Sequence, residues 1–117
     1  MSHAARPNEV ADERENDELI SRYVEPHPSK AGPAEWRLKE RGVPIWAIIG
    51  ALVLVANPAE HPEVLDDRAV APLLVEQQAI ERVAQEYGVS RAAVEAAIAY
   101  YWQHKRLIDA RLIVNAG

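Results

Sequence analysis

Apolar positions recur at helical spacing from Gln77 to Leu112. Ile80, Val83, Ala84 and Tyr87 stand at i, i+3, i+4 and i+7, while Gln78, Glu81, Arg82, Gln85 and Glu86 fill the positions between. This pattern predicts a half-buried surface helix. Gly88 follows where a helix C-terminus needs a left-handed residue, a conformation glycine adopts without a Cβ clash. Val89 then plugs the angle, and Ser90 is a good N-cap for a second helix starting at Arg91, although no capping glutamate follows it. The apolar face of that helix runs through Val94, Ala97, Ile98 and Tyr101 to Ile108 and Leu112, with Lys105 the poor fit. It is predicted to be long, with a bend near His104. Two helices of different surface character meeting at a tight turn are the signature of a helix-turn-helix.

In that motif the first residues of the second helix face base edges, which here are Arg91, Ala92, Glu95 and Ala96. Arg91 is a natural base or phosphate partner, and Ser90 orients the helix. Glu95 repels phosphates unless it accepts a hydrogen bond from a cytosine amino group. With Arg37, Lys39 and Arg41 upstream as backbone contacts, Ser90, Arg91 and Glu95 make up the candidate DNA-binding set. It is a sparsely equipped reading helix.

The first half of the chain has a different pattern. Three prolines and Gly32 between Pro26 and Pro33 predict an extended approach. Glu35 to Lys39 alternates in character, Glu40-Arg41-Gly42 can turn the chain, and Val43-Pro44-Ile45 resumes an apolar strand, so a small β-hairpin is expected. From Pro44 an uncharged run of roughly 14 residues continues to Asn57, too short for the about 20 that a bilayer span needs. It reads as a core helix opened by Pro44 and closed near Asn57-Pro58. Apolar residues surround that helix on nearly all sides, more than a three-helix domain can cover. A partner or homodimer interface is therefore expected at Ile45, Trp46, Ile49, Leu52 and Val53, together with Trp102. Pro58 to Pro72 is proline-punctuated and acidic, and reads chiefly as a connection.

Composition narrows the function. The 117 residues support one compact domain, and cysteine is absent, which removes disulfides, thiol nucleophiles and thiolate metal sites and suits a reducing cytoplasm. His3, His27, His61 and His104 lack ligand spacing, so no metal or other cofactor is expected. The first twenty residues are charged and lack an apolar core, so no signal peptide is expected. The net charge of −5 is uneven: −4 over residues 1–20, +2 over 21–46, −5 over 47–88 and +2 over 89–117. Residues 1–21 are expected to be a disordered acidic arm, and residues 22–117 the folded domain. Such a chain lacks the overall electrostatic pull of a strong DNA binder. Catalysis is the least expected function, since there is no phosphate-binding glycine loop and Asp66-Asp67 has no partner in sight.

The order hairpin, Gly42-Val43-Pro44-Ile45-Trp46 helix start, then Tyr87-Gly88-Val89-Ser90 and Ala93-Val94-Glu95-Ala96-Ala97-Ile98-Ala99-Tyr100-Tyr101, resembles a prokaryotic family. It is the one catalogued as domain of unknown function 433, whose members look like VapB-type antitoxins. The resemblance covers about residues 22–115. It implies a mainly α fold with a homeodomain-like or winged helix-turn-helix, a cognate toxin with a PIN-like ribonuclease fold, and operator binding for autoregulation. The chain departs from the family at Glu40-Arg41-Gly42, where many members carry a glycine-threonine turn, and in the longer link from Asn57 to Leu74. The function expected is thus a cytoplasmic antitoxin of a type II toxin-antitoxin module. A protein-interaction adaptor with the helix-turn-helix as scaffold is the alternative, favoured by Glu95 and the alanine-rich helix start.

Overall fold

A computed structural model describes residues 13–56 and 77–116. Among them five α-helices and a two-stranded antiparallel sheet follow in order: α1 (Glu13–Tyr23), β1 (Val24–Glu25), β2 (Arg37–Leu38), α2 (Ile45–Ala56), α3 (Gln77–Tyr87), α4 (Arg91–Gln103) and α5 (Lys105–Ala116). A 3-10 turn, Pro33–Glu35, precedes β2. The architecture is a small, mainly helical domain, and no helix among the described residues is long and apolar enough to cross a membrane. The acidic, proline-punctuated connection expected over residues 58–72 lies outside the described residues, as do Asp66 and Asp67.

α2 is the axis of the core. Pro44 opens it, its carbonyl accepting from the N–H groups of Ala47 and Ile48, a position where the missing proline N–H costs nothing. Ile45, Ile48, Ile49, Leu52 and Val53 are 0–1% exposed. They are covered within a single chain, because α3, α4 and α5 all pack against α2. Burial of each such side chain contributes about 1.5–3 kcal/mol. The surface inferred to be surplus at Ile45, Ile49, Leu52 and Val53 is therefore covered, while Leu54 of the same helix is 47% exposed. A three-helix count underestimates the cover, since the chain breaks after α4 and lays α5 over α2 as well.

The N-terminal segment is also corrected. Residues 13–21, expected within a disordered arm, belong to α1, so the boundary placed after residue 21 falls inside a helix. α1 packs chiefly against α4, placing Leu19, Ile20 and Tyr23 against the core cluster. Arg14, Glu15, Asp17, Glu18, Ser21 and Arg22 are polar and exposed, so the helix owes its stability to docking rather than to a continuous apolar stripe. Residues 1–12 lie outside the described residues.

The hairpin exists in reduced form. Arg37 and Pro44 make an antiparallel bridge, flanked by Leu38 N–H to Val43 O at 2.7 Å and Ile45 N–H to Trp36 O at 3.1 Å. The regular sheet partner of β2 is instead β1, with Val24 opposite Leu38 and Glu25 opposite Arg37. Leu38 is fully buried at this junction.

Candidate functional site

The turn between α3 and α4 is built as its residues dictate. Gly88 has φ +67°, and Val89 N–H reaches back to Ala84 O at 3.0 Å, which closes α3 with a left-handed cap. Val89 is buried. Ser90 has extended φ and ψ, and its hydroxyl accepts from Ala93 N–H at 3.1 Å. The N-cap is thus formed as its residue type predicts.

The surroundings of that N-cap are what the linear sequence conceals. Glu40, in the turn after β2, accepts from Ser90 N–H at 2.7 Å and from the Ser90 hydroxyl at 2.8 Å. At the first position of α4, Arg91 is engaged twice: Nη1 with Glu81 of α3 at 2.6 Å and Nε with Glu95 of α4 at 3.1 Å. Three carboxylates therefore gather at the start of α4, and its one guanidinium is neutralised by two of them. The positive end of the helix dipole, which elsewhere attracts phosphate, already has Glu40 as its anion.

The structure brings Ser90, Arg91 and Glu95 together, but as one internal network. The three upstream bases do not join them as a uniform patch. Arg37 is paired with Glu25 at 2.8 Å. Lys39 donates to Ser21 O at 3.0 Å, at the end of α1. Arg41 is exposed, with a left-handed φ of 60°, and its side chain lies over Gly88, where a Cβ would come within 3.2 Å of Nε. Only Arg41 of the three touches the α3–α4 turn.

Of the expected interface residues, Ile45, Ile49, Leu52 and Val53 are core and offer nothing to a partner. Trp46 is half-buried beneath Arg111, whose guanidinium carbon sits 4.4 Å from the ring centroid. Trp102 is 41% exposed and edge-on to Tyr101, with ring centroids 5.1 Å apart. Apolar surface is left open elsewhere. Leu107, Ala110, Ile113 and Val114 share the outward arc of α5 with Arg106, and Val114 is 73% exposed. That arc was missed because Ile108 and Leu112 already supply the helix with an inward face. A helix apolar on two sides reads from sequence as one continuous core stripe.

At the α4–α5 break, Tyr100 donates to Pro33 O at 2.7 Å, stacks on Trp36 at 5.5 Å and lies 4.4 Å from the His104 ring. Burial raises the Tyr100 phenol well above its ordinary value and lowers the His104 imidazole below its own. Among the described residues, no three of His, Cys, Asp and Glu converge as metal ligands.

The fold and this site define a small α-helical protein with a capped helix pair. The chain matches no family model, no curated protein and no solved structure.

Proposed function

We propose that this protein is a protein-binding module in which the helix-turn-helix serves as scaffold and not as a reader of bases. The observation that carries this reading is the carboxylate cluster of Glu40, Glu81 and Glu95 around Ser90 and Arg91. A DNA-reading helix presents free donors at its start, because phosphate contacts supply most of the affinity and base contacts the specificity. Here those donors are paired within the chain, and a duplex approaching them meets three carboxylates against the two guanidinium groups of Arg91 and Arg41. The open apolar arc of α5 is the kind of surface that marks protein contacts.

The antitoxin function implied by the family resemblance is the more specific form of the same proposal. Its partner is then a PIN-like ribonuclease, bound directly in the cytoplasm, with operator binding a minor activity or absent. In this reading α2, α3 and α4 are the three helices of a homeodomain-like unit, and the Arg37–Pro44 bridge is the remnant of a wing. The test compares the purified chain, alone and with the product of its neighbouring gene, on its own promoter DNA at about 50 mM salt. No retention of DNA, with direct capture of the neighbouring product, is the expected result. Promoter binding that weakens steeply with salt and is lost in Arg91→Ala would overturn the scaffold reading.

A further inference from the structure

We propose that the outward arc of α5 is a docking strip for an amphipathic helix of another protein, one that carries a carboxylate beside its apolar seam to meet Arg106. The proposal rests on the protein-binding reading above and gives that partner a chemistry. Leu107, Ala110, Ile113 and Val114 stand at i, i+3, i+6 and i+7, and Leu107, Ile113 and Val114 are 47%, 49% and 73% exposed. Ala110, also exposed, lies between them. A small residue with large ones a turn away on either side makes a notch, and such a notch receives a side chain of a packed helix as a knob. From Leu107 to Val114 the strip is about 10 Å long, two turns of a helix laid alongside. An extended strand would need free backbone groups to pair with, and a helix face offers none.

Charge selects among the helices that could lie there. The bases of α4 and α5 are Arg91, Lys105, Arg106 and Arg111. Arg91 is held by Glu81 and Glu95, Lys105 by Asp109 and Arg111 by Glu35. Arg106 is exposed and makes no ion pair among the described residues. It stands one turn before Ala110, at the edge of the notch. A carboxylate next to the partner's knob satisfies it, whereas a wholly apolar helix would leave the guanidinium desolvated and unpaired. A second copy of α5 brings no such carboxylate, because its one acid, Asp109, is already bonded to Tyr101 and Lys105. A lipid surface fits less well too: anionic headgroups draw on clusters of basic residues, and the arc offers one in a chain of net charge −5.

The test is a phage-displayed library of helices with a fixed leucine seam and Glu, Gln or Lys at the flanking positions, selected on the immobilised full-length protein. Enrichment of helices with Glu at one flanking position is the expected result. Fluorescence anisotropy then compares the winning peptide with its Glu-to-Lys counterpart, on the wild-type protein and on Arg106→Glu. The reversal should weaken the Glu peptide about fivefold, as loss of one exposed ion pair does, and tighten the Lys peptide. Leu107→Ser combined with Val114→Ser should abolish binding of both. These positions are exposed, so thermal midpoints close to wild type separate lost docking from lost folding. No enriched helix, enrichment indifferent to the flanking charge, or affinities unchanged in Arg106→Glu overturns the proposal. So does sedimentation with vesicles of phosphatidylcholine and phosphatidylglycerol, or concentration-dependent self-association, that the double serine variant removes, since the strip then serves a membrane or a second copy. Capture of the neighbouring gene's product that survives all these substitutions also overturns it, and leaves the protein-binding reading standing.

Discussion

Glu40 accepts hydrogen bonds from both the backbone N–H and the side-chain hydroxyl of Ser90, across a sequence separation of 50 residues. In a local capping box the glutamate sits three residues into the same helix. Here that position is Ala93, and the carboxylate comes from the turn after β2, so the cap ties the hairpin to the helix pair. Glu40→Ala and Ser90→Ala should each lower stability by about 1–2 kcal/mol, the range for a lost N-cap or a charge-assisted bond. The double variant should cost less than the two losses added, because each removes the same contact. Urea unfolding of all four proteins measures this, and strictly additive losses would show that the two residues act separately.

The backbone at the adjoining turns predicts a contrast in sign. Arg41 holds a left-handed φ of 60°, where a side chain is strained, and Gly88 holds φ +67° beneath it. Arg41→Gly should relieve the first strain and leave stability unchanged or raised by up to about 1 kcal/mol, after the entropy that glycine adds to the unfolded chain. Gly88→Ala should lower it by about 1 kcal/mol or more, since it adds strain and also brings a Cβ within 3.2 Å of Arg41 Nε. Thermal midpoints of the two variants should move apart. A gain from Gly88→Ala would contradict the turn geometry.

Stability should fall at both ends of the pH scale through two neighbouring rings. Burial lowers His104 below its ordinary 6.5, so the unfolded chain binds the proton first as pH drops. His104 thus supports the fold fully above about 6.5 and loses that support as pH falls from there toward its folded value. Burial raises Tyr100 above its ordinary 10.0. The unfolded chain then releases the phenolic proton first, and stability declines as pH climbs past 10. Urea midpoints across pH should show His104→Asn flattening the acid limb and Tyr100→Phe the alkaline one. An acid limb of unchanged slope in His104→Asn would assign that limb to the carboxylates.

Local signals explain how far the sequence could be read. Gly88, Val89 and Ser90 each carry a backbone requirement that neighbours do not alter, so the α3–α4 turn was legible, as were α2 after Pro44 and the bend at His104. α1 was not, because its apolar residues Leu19, Ile20 and Tyr23 crowd into its second half and its first half reads as a solvated acidic run. β1 was hidden for a related reason: a two-residue strand has no period. The candidate site was the least legible part. Arg91 and Glu95 could be placed on one helix, but the roles of Glu40 and Glu81 depend on packing between distant segments, which is also what turns Arg91 from a free donor into a neutralised one.

The same reasoning separates the two apolar helices, α2 and α5, by experiment. Leu52 is fully buried on α2, whereas Val114 is 73% exposed on the outward arc of α5. Leu52→Ala should cost about 2–5 kcal/mol, the range for a large-to-small change in a packed core, and the loss should be the same at low and high protein concentration. Val114→Ser should change stability by no more than about 0.5 kcal/mol, as surface substitutions do. Were α2 an interface between copies, Leu52→Ala would instead lower the dimer mass and its effect on the urea midpoint would depend on concentration. A Val114→Ser loss as large as that of Leu52→Ala would mean that the outer arc of α5 is covered in solution, and that the surface assigned to a partner is already in use.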